Sequence, residues 1–192
     1  MTIDGHMLDS DVDLSSLQLS VLPTAALSES VKIEIVDLCT RAFDEDFSEL
    51  FPLVAGAVAP MHVLARLNGK LVSHAMWSER PLFLADGTTV VSAYLDAVAT
   101  DPAYQDIGLG SVVINRLQHE IRGFAIGCLS TNRPNFYARL GWEIWTGAKG
   151  VRTAHGIEPT PDDIVMIYRT ACSPEIDIGS LLLANARRGG NW

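Results

Sequence analysis

Two glycines one residue apart close the run Gln105-Asp106-Ile107-Gly108-Leu109-Gly110-Ser111, directly before the amphipathic stretch Val112–Ile121. Glycine puts no Cβ between backbone N–H groups and an approaching anion, and a helix start adds partial positive charge. The spacing therefore suits a cradle for pyrophosphate, although the same residues would also make a plain tight turn into a helix. It is not the dinucleotide fingerprint, which needs G-x-G-x-x-G and an acidic residue about twenty positions further on.

Other side chains invite chemistry. Asp96 interrupts the apolar run Ala93–Asp101, and an unpaired carboxylate is costly to bury, so it is expected to face a cleft or a partner. Aspartate's reference pKa of about 3.9 is low for a base, so a direct role would need burial or a water relay. Attraction for an ammonium group and an ion pair with an internal arginine are the alternatives. Tyr137 carries a phenol that is protonated at neutral pH and able to donate a proton; otherwise it is a core tyrosine on a short helix. Asp46 reads as a helix cap or a ligand, and Pro161-Asp162-Asp163 as a turn or a pair of ligands. Met76, Trp77 and Trp142 read as core or pocket wall. The five histidines show no metal-ligand spacing.

These residues need elements to hold them. Ala93–Asp101 reads as a strand, Val112–Ile121 as a helix, Phe124–Ser130 as a return strand and Asn135–Trp142 as a short helix. Upstream, Leu17, Leu19 and Val21 alternate as a first strand. Ser28 caps a helix whose apolar face holds Val31, Ile35, Leu38, Cys39 and Ala42, and a second helix, broken by Pro52 and Gly56, covers Asp46–Val58. Met61–Leu67 and Leu71–Trp77 flank Asn68-Gly69, a hairpin signal, and Asp86-Gly87 precedes the long strand Thr88–Thr100. A strand follows at Glu143–Thr146, then a loop through Lys149, His155 and Asp163. Ile164–Tyr168 reads as the last strand, and Ile178–Arg188 as a short helix. The expected fold class is α/β, a mixed sheet flanked by helices. Residues 1–15 read as a flexible segment and 16–192 as a single domain.

The chain has 192 residues, 48% hydrophobic and 19% charged, enough for one core. Its net charge of −9 argues against nucleic acid and suits a cationic substrate, though acidity also serves solubility. No apolar run reaches the roughly 20 residues that span a bilayer, so no membrane partner is expected. The odd, scattered Cys39, Cys128 and Cys172 read as reduced core residues and point to the cytoplasm.

The order strand, glycine turn, helix, return strand, followed by Tyr137-Ala138-Arg139-Leu140-Gly141-Trp142, resembles the acetyl-coenzyme-A-binding core of the GCN5-related N-acetyltransferase (GNAT) superfamily over residues 60–145. The runs RAFDEDFSE (Arg41–Glu49), AYLDAVAT (Ala93–Thr100), FYARLGW (Phe136–Trp142) and TPDD (Thr160–Asp163), with Trp192 at the end, look like the aminoglycoside 2′-N-acetyltransferases. Two departures stand out: Asp96 where that family has glutamate, and a shorter loop between Ser130 and Tyr137. They suggest an atypical aminoglycoside, with a kasugamycin-modifying branch first.

The resemblance implies acetyl-CoA as cofactor. The pantetheine arm would lie along Val98, Ala99 and Thr100, and the pyrophosphate on Gln105, Asp106, Ile107, Gly108, Leu109, Gly110 and Ser111. Tyr137 would be the general acid for the departing thiolate, and Asp96 the base or the partner of the ammonium. Asp46, Ser130, Asp162, Asp163 and Trp192 would bind the amino sugar, with Gly189-Gly190 as the bend that returns the tail to the site. The implied function is resistance by N-acetylation of a cationic aminoglycoside. Dimers being common in the superfamily, a homodimer is the assembly the resemblance suggests. A GNAT acting on a small polyamine or peptide amine, and a catalytically silent acyl-CoA-binding module, are the alternatives.

Overall fold

The computed structural model describes residues 13–188 and 192. Most of the expected loose segment 1–15, and the Gly189-Gly190 bend, lie outside the described residues. Asp13 caps a single 3-10 turn at Leu14–Ser16, accepting from Ser15 N at 2.8 Å.

The first half follows the sequence patterns closely. Strand β1 (Leu17–Pro23) leads through Ser28 into helix α1 (Glu29–Phe43), whose face Ile35, Leu38 and Cys39 is buried. The second helix contracts to α2 (Leu50–Val54), because the chain from Val58 is taken into strand β2 (Val58–Leu67). Asn68 (φ 49°) and Gly69 (φ 81°) turn β2 into β3 (Lys70–Leu84), as the primed hairpin turn requires. Strand β4 (Thr89–Thr100) runs back along β3, and helix α3 (Leu109–Glu120) and strand β5 (Ile126–Ser130) follow. The short helix is only α4 (Pro134–Ala138); Gly141 at φ 86° breaks the chain away, and Trp142 belongs to strand β6 (Trp142–Ile144).

The second half departs from expectation. The segment read as a loop forms a hairpin, β7 (Lys149–Thr153) and β8 (Gly156–Pro159). Strand β9 (Val165–Arg169) is not the last, because Ile178–Arg188 holds strand β10 (Leu182–Asn185) instead of a helix. Leu182, Leu183 and Ala184 are buried between β3 and β7, and this pairing with distant strands outweighs local preference. Cys39 and Cys128 are core residues as expected, but Cys172 is exposed.

The sheet runs β6-β9-β5-β4-β3-β10-β7-β8, with β1 and β2 continuing from β3. Because β3 is long, its first part pairs with β2 and its last part with β10 on the same edge. One face carries α1 and α2 over Leu64, Leu71 and Met76; the other carries α3 and α4 over Ala75, Trp77 and Leu95. The period-2 alternation of β3 sends Met76 to one layer and Trp77 to the other. A third cluster around Tyr94, Trp145 and Leu182 fills the space where β10 joins the sheet.

Candidate active site

The site arises where two parallel strands part. Strand β4 pairs with β5 only at Ser92↔Ile126, Ala93↔Gly127 and Tyr94↔Cys128. Beyond Tyr94 the strands are not paired, and a cleft of about 1400 Å³ opens between Leu95–Thr100 on one side and Leu129–Arg133 on the other. A bulge marks the same stretch: β3 and β4 pair Met76↔Asp96 and then His74↔Ala99, and Ala97 takes φ 49°.

The glycine run sits at one end of this cleft. Asp106 (φ 64°) and Gly108 (φ 91°) turn the chain, and Gly108 becomes the N-cap of α3, with Val112 N donating to its carbonyl at 3.1 Å. Gln105 Nε2 donates to Thr100 O at 3.1 Å and ties the loop to β4. Leu109 is buried and Ile107 packs beside Leu67 and Val72, so these two anchor the loop and leave its backbone for a ligand. A Cβ on Gly110 would lie 3.4 Å from both the Phe136 ring and Thr100 Oγ1, so this glycine lets the helix start approach the cleft wall. Consecutive N–H groups at an open helix start suit the pyrophosphate of coenzyme A. Among the described residues, no cluster of histidine, cysteine and carboxylate side chains could hold a metal ion.

Tyr137 lines the cleft from α4, only 7% exposed, edge-on to both Phe136 and Trp142. Burial raises its pKa, against a smaller opposing pull from the Arg133 charge, so the phenol keeps its proton through the neutral range.

Asp96 reaches the cleft and also finds a partner. Arg187, just past β10, donates to both its oxygens at 2.8 Å. The Arg187 guanidinium also lies 4.7 Å from the Tyr94 ring centre, and that of Arg80 lies 4.6 Å from it. Sequence reasoning left Arg187 unnamed; nothing in Ala186-Arg187-Arg188 signals a partner 91 positions away.

The remaining expected residues divide. Ser130, Asp162, Asp163 and Trp192 line the cleft. Trp192 packs against the cluster around Tyr94, and its indole Nε1 donates to Thr160 Oγ1 at 2.7 Å, within the turn that carries the two aspartates. Asp46 is not among the lining residues; its carboxylate accepts from Ser48 N at 2.8 Å and Ser48 Oγ at 3.1 Å in an exposed local turn. Its neighbour Glu45 lines the cleft instead. Met76, Trp77 and Trp142 are buried, as their core reading expected.

A parted strand pair, a glycine-capped helix start at one end of the opening and a buried phenol on its wall define an acyl-CoA-dependent transferase. The acetyltransferase (GNAT) domain pattern matches residues 26–145, and the chain belongs to that family, with acetyl-CoA as acetyl donor. Solved structures repeat the fold. A GNAT family N-acetyltransferase (YhbS) from Escherichia coli, in complex with CoA, is 16% identical with a TM-score of 0.64, over 88% of this chain and 91% of its own. The ribosomal-protein-S18-alanine N-acetyltransferase from Escherichia coli is 21% identical, TM-score 0.56, over 83% and 97%. Eis1 from Mycobacterium abscessus is 21% identical, TM-score 0.56, over 69% of this chain and 32% of its own, so the similarity spans about a third of that protein. Among the described residues no helix is long and apolar enough to cross a membrane.

Proposed function

We propose that the protein acetylates an amino group of an aminoglycoside antibiotic, the 2′-amino group by resemblance, with kasugamycin first among acceptors, and so confers resistance. The observation that carries this reading is Trp192 folded into the cleft and bonded to Thr160, beside Asp162 and Asp163. Together with Glu45 and Asp96 these side chains put four carboxylates around the opening. These carboxylates, only partly offset by Arg133 and Arg139 on the same cleft, and the Trp192 indole suit a sugar that carries ammonium and hydroxyl groups. The thiols of Cys39, Cys128 and Cys172 are all free, which suits the cytoplasm.

Bound acetyl-CoA supplies an activated thioester carbonyl. The chain does the rest. Val98 to Thr100 align the pantetheine arm, and the amide at Val98 donates to the carbonyl oxygen as its charge grows, a contribution of about 3 kcal/mol. Backbone N–H groups from Gln105 to Ser111 hold the pyrophosphate. Tyr137 holds a proton for the leaving sulfur. Burial raises its pKa, so the phenol would still carry its proton when the sulfur departs. Asp162, Asp163 and Ser130 orient the sugar; each hydrogen bond to a charged group contributes about 1.5–3 kcal/mol. Asp96 receives the reacting ammonium in exchange for part of its contact with Arg187. The ammonium gives one proton to solvent, directly or through Asp96, to become the neutral amine that attacks. The amine's second proton leaves as the amide forms, while Tyr137 protonates the departing thiolate and is reprotonated from solvent.

A thiol-release assay with kasugamycin, 2′-amino aminoglycosides, spermidine and short peptides tests the proposal. Turnover with the aminoglycosides is expected. Turnover confined to spermidine or peptides would replace the acceptor class. Tight CoA binding with no turnover on any acceptor would leave an acyl-CoA-binding module.

A further inference from the structure

Two histidines behind the cleft take no part in the chemistry above. His62 on β2 and His74 on β3 have no exposed surface and lie on the side covered by α1 and α2, where Phe51 packs 5.9 Å from the His62 ring. His62 Nδ1 is 2.9 Å from His74 Nε2, and His74 Nδ1 is 2.9 Å from the carbonyl oxygen of Ala97. At the far end Thr24 Oγ1 is 2.8 Å from His62 Nε2.

These contacts fix the protons. A carbonyl only accepts, so His74 Nδ1 bears the hydrogen. A neutral ring then has a bare Nε2, which accepts from His62 Nδ1–H, and His62 Nε2 accepts from the Thr24 hydroxyl. That hydroxyl also lies 3.2 Å from the Pro60 carbonyl but closer, 2.8 Å, to the ring. Burial depresses both pKa values, to about 4 for His62 and about 3 for His74, which keeps both rings neutral near pH 7. The chain Thr24–His62–His74–Ala97 therefore runs in one direction, each link spending one donor and one acceptor.

Its end point is the bulge. Ala97 and Val98 both stand opposite Ala75, and the ladder between β3 and β4 is interrupted there. At this irregularity the half-buried Ala97 carbonyl accepts from His74 Nδ1 at 2.9 Å, a side-chain donor where the regular register fails. Ala97 lies between Asp96 and Val98, two residues with expected roles at the reacting group. We propose that His74, oriented by His62 and Thr24, is a positioning residue that holds the β4 bulge open and thereby aims the Val98 amide into the cleft. The proposal rests on the reading that the coenzyme arm lies along Val98–Thr100.

Two kinds of measurement test it. In the wild-type protein, long-range 1H–15N spectra should show His74 as the Nδ1–H tautomer, and CoA should shift the amide signals of Val98, Ala99 and Thr100. His74→Leu keeps volume without the donor. It should weaken CoA binding by calorimetry about tenfold and displace the Val98 amide signal in the free protein. His74→Asn, whose Nδ2 can stand where Nδ1 stood, should recover most of the affinity. His62→Leu, one link further away, should give a smaller loss in the same direction and replaces His74→Leu if that variant does not fold. A His74 Nε2–H tautomer, wild-type CoA affinity in His74→Leu, or equal losses in the leucine and asparagine variants would each overturn the proposal. If CoA shifts none of the three wild-type amides, the placement of the coenzyme arm fails instead, whatever the tautomer.

Discussion

Arg187 grips Asp96 through two parallel hydrogen bonds, Nη1 to Oδ2 and Nη2 to Oδ1, both 2.8 Å. One contact thus ties the segment after β10 to the middle of β4, and it satisfies the carboxylate that the sequence left looking for a partner. Any ammonium that approaches Asp96 competes with a guanidinium already in place.

That competition gives the first prediction. Asp96→Asn should cost about 1.5–3 kcal/mol of stability through the lost charged bonds, and should raise KM for the acceptor. The double variant Asp96→Asn/Arg187→Gln removes both charges and should recover part of the thermal midpoint without recovering KM. Recovery of both would reduce Asp96 to a structural ion pair. Denaturant unfolding alongside steady-state kinetics makes the distinction.

Tyr137→Phe should lower kcat by roughly 10²–10³ with little change in KM, because the donor acts mainly in the transition state. Its edge-on contacts with Phe136 and Trp142 use the ring and survive the change, so the fold should persist. Near-normal turnover at saturating substrate would remove the phenol from the mechanism.

At the cradle, the two glycines should fail differently. Gly108 has open space around its missing Cβ but sits at φ 91°, so Gly108→Ala strains the backbone by about 1–2 kcal/mol and distorts the loop. Gly110 has an ordinary backbone but faces Phe136 and Thr100 at 3.4 Å, so Gly110→Val should push the helix start off the wall. Both should weaken CoA binding in calorimetry, the first with the larger change in loop amide signals. Unchanged CoA affinity in both would move the cradle elsewhere.

Trp192→Ala should raise KM for the aminoglycoside several-fold and leave CoA affinity unchanged, since the indole packs on the Tyr94 cluster and bonds Thr160. Thr160→Val, which removes the hydroxyl that accepts from the indole, should reproduce a smaller part of the effect. Wild-type kinetics in both would take Trp192 out of the acceptor site.

The buried histidine pair makes stability depend on pH. Both folded pKa values lie below the free-histidine value of 6.5, so the unfolded chain binds more protons between about pH 6.5 and 3. The contribution is fully present above pH 6.5 and is lost as the pH falls through that window. Its slope is at most about 2.7 kcal/mol per pH unit for two protons. Thermal melts at pH 7.5, 6.0 and 5.0 should show a steep decline in the wild type and a shallower one in His62→Leu/His74→Leu. Parallel declines would assign the acid sensitivity to other groups.

The sequence by itself determined the parts whose physics is local. Ser28 as a cap, Asn68-Gly69 as a primed turn, the apolar face of α1 and the glycine start of α3 each follow from a few neighbouring residues, and so did the order from β1 to β6. The turn into α3 was legible for that reason: Gly108 carries both its own backbone angle and its place at a helix start. Tertiary structure decided what depends on distant partners. Leu182–Asn185 became a strand because β3 and β7 offered ladders on either side, and isolated tail residues carry no record of that offer. It brought Arg187 to Asp96 across 91 positions and linked His62 to His74 by a hydrogen bond beneath a bulge. It also left Asp46 in its own local turn while drawing Asp162, Asp163 and Trp192 to the cleft. A side chain's type fixes what it can bond; only the folded backbone fixes which partner comes within 3 Å.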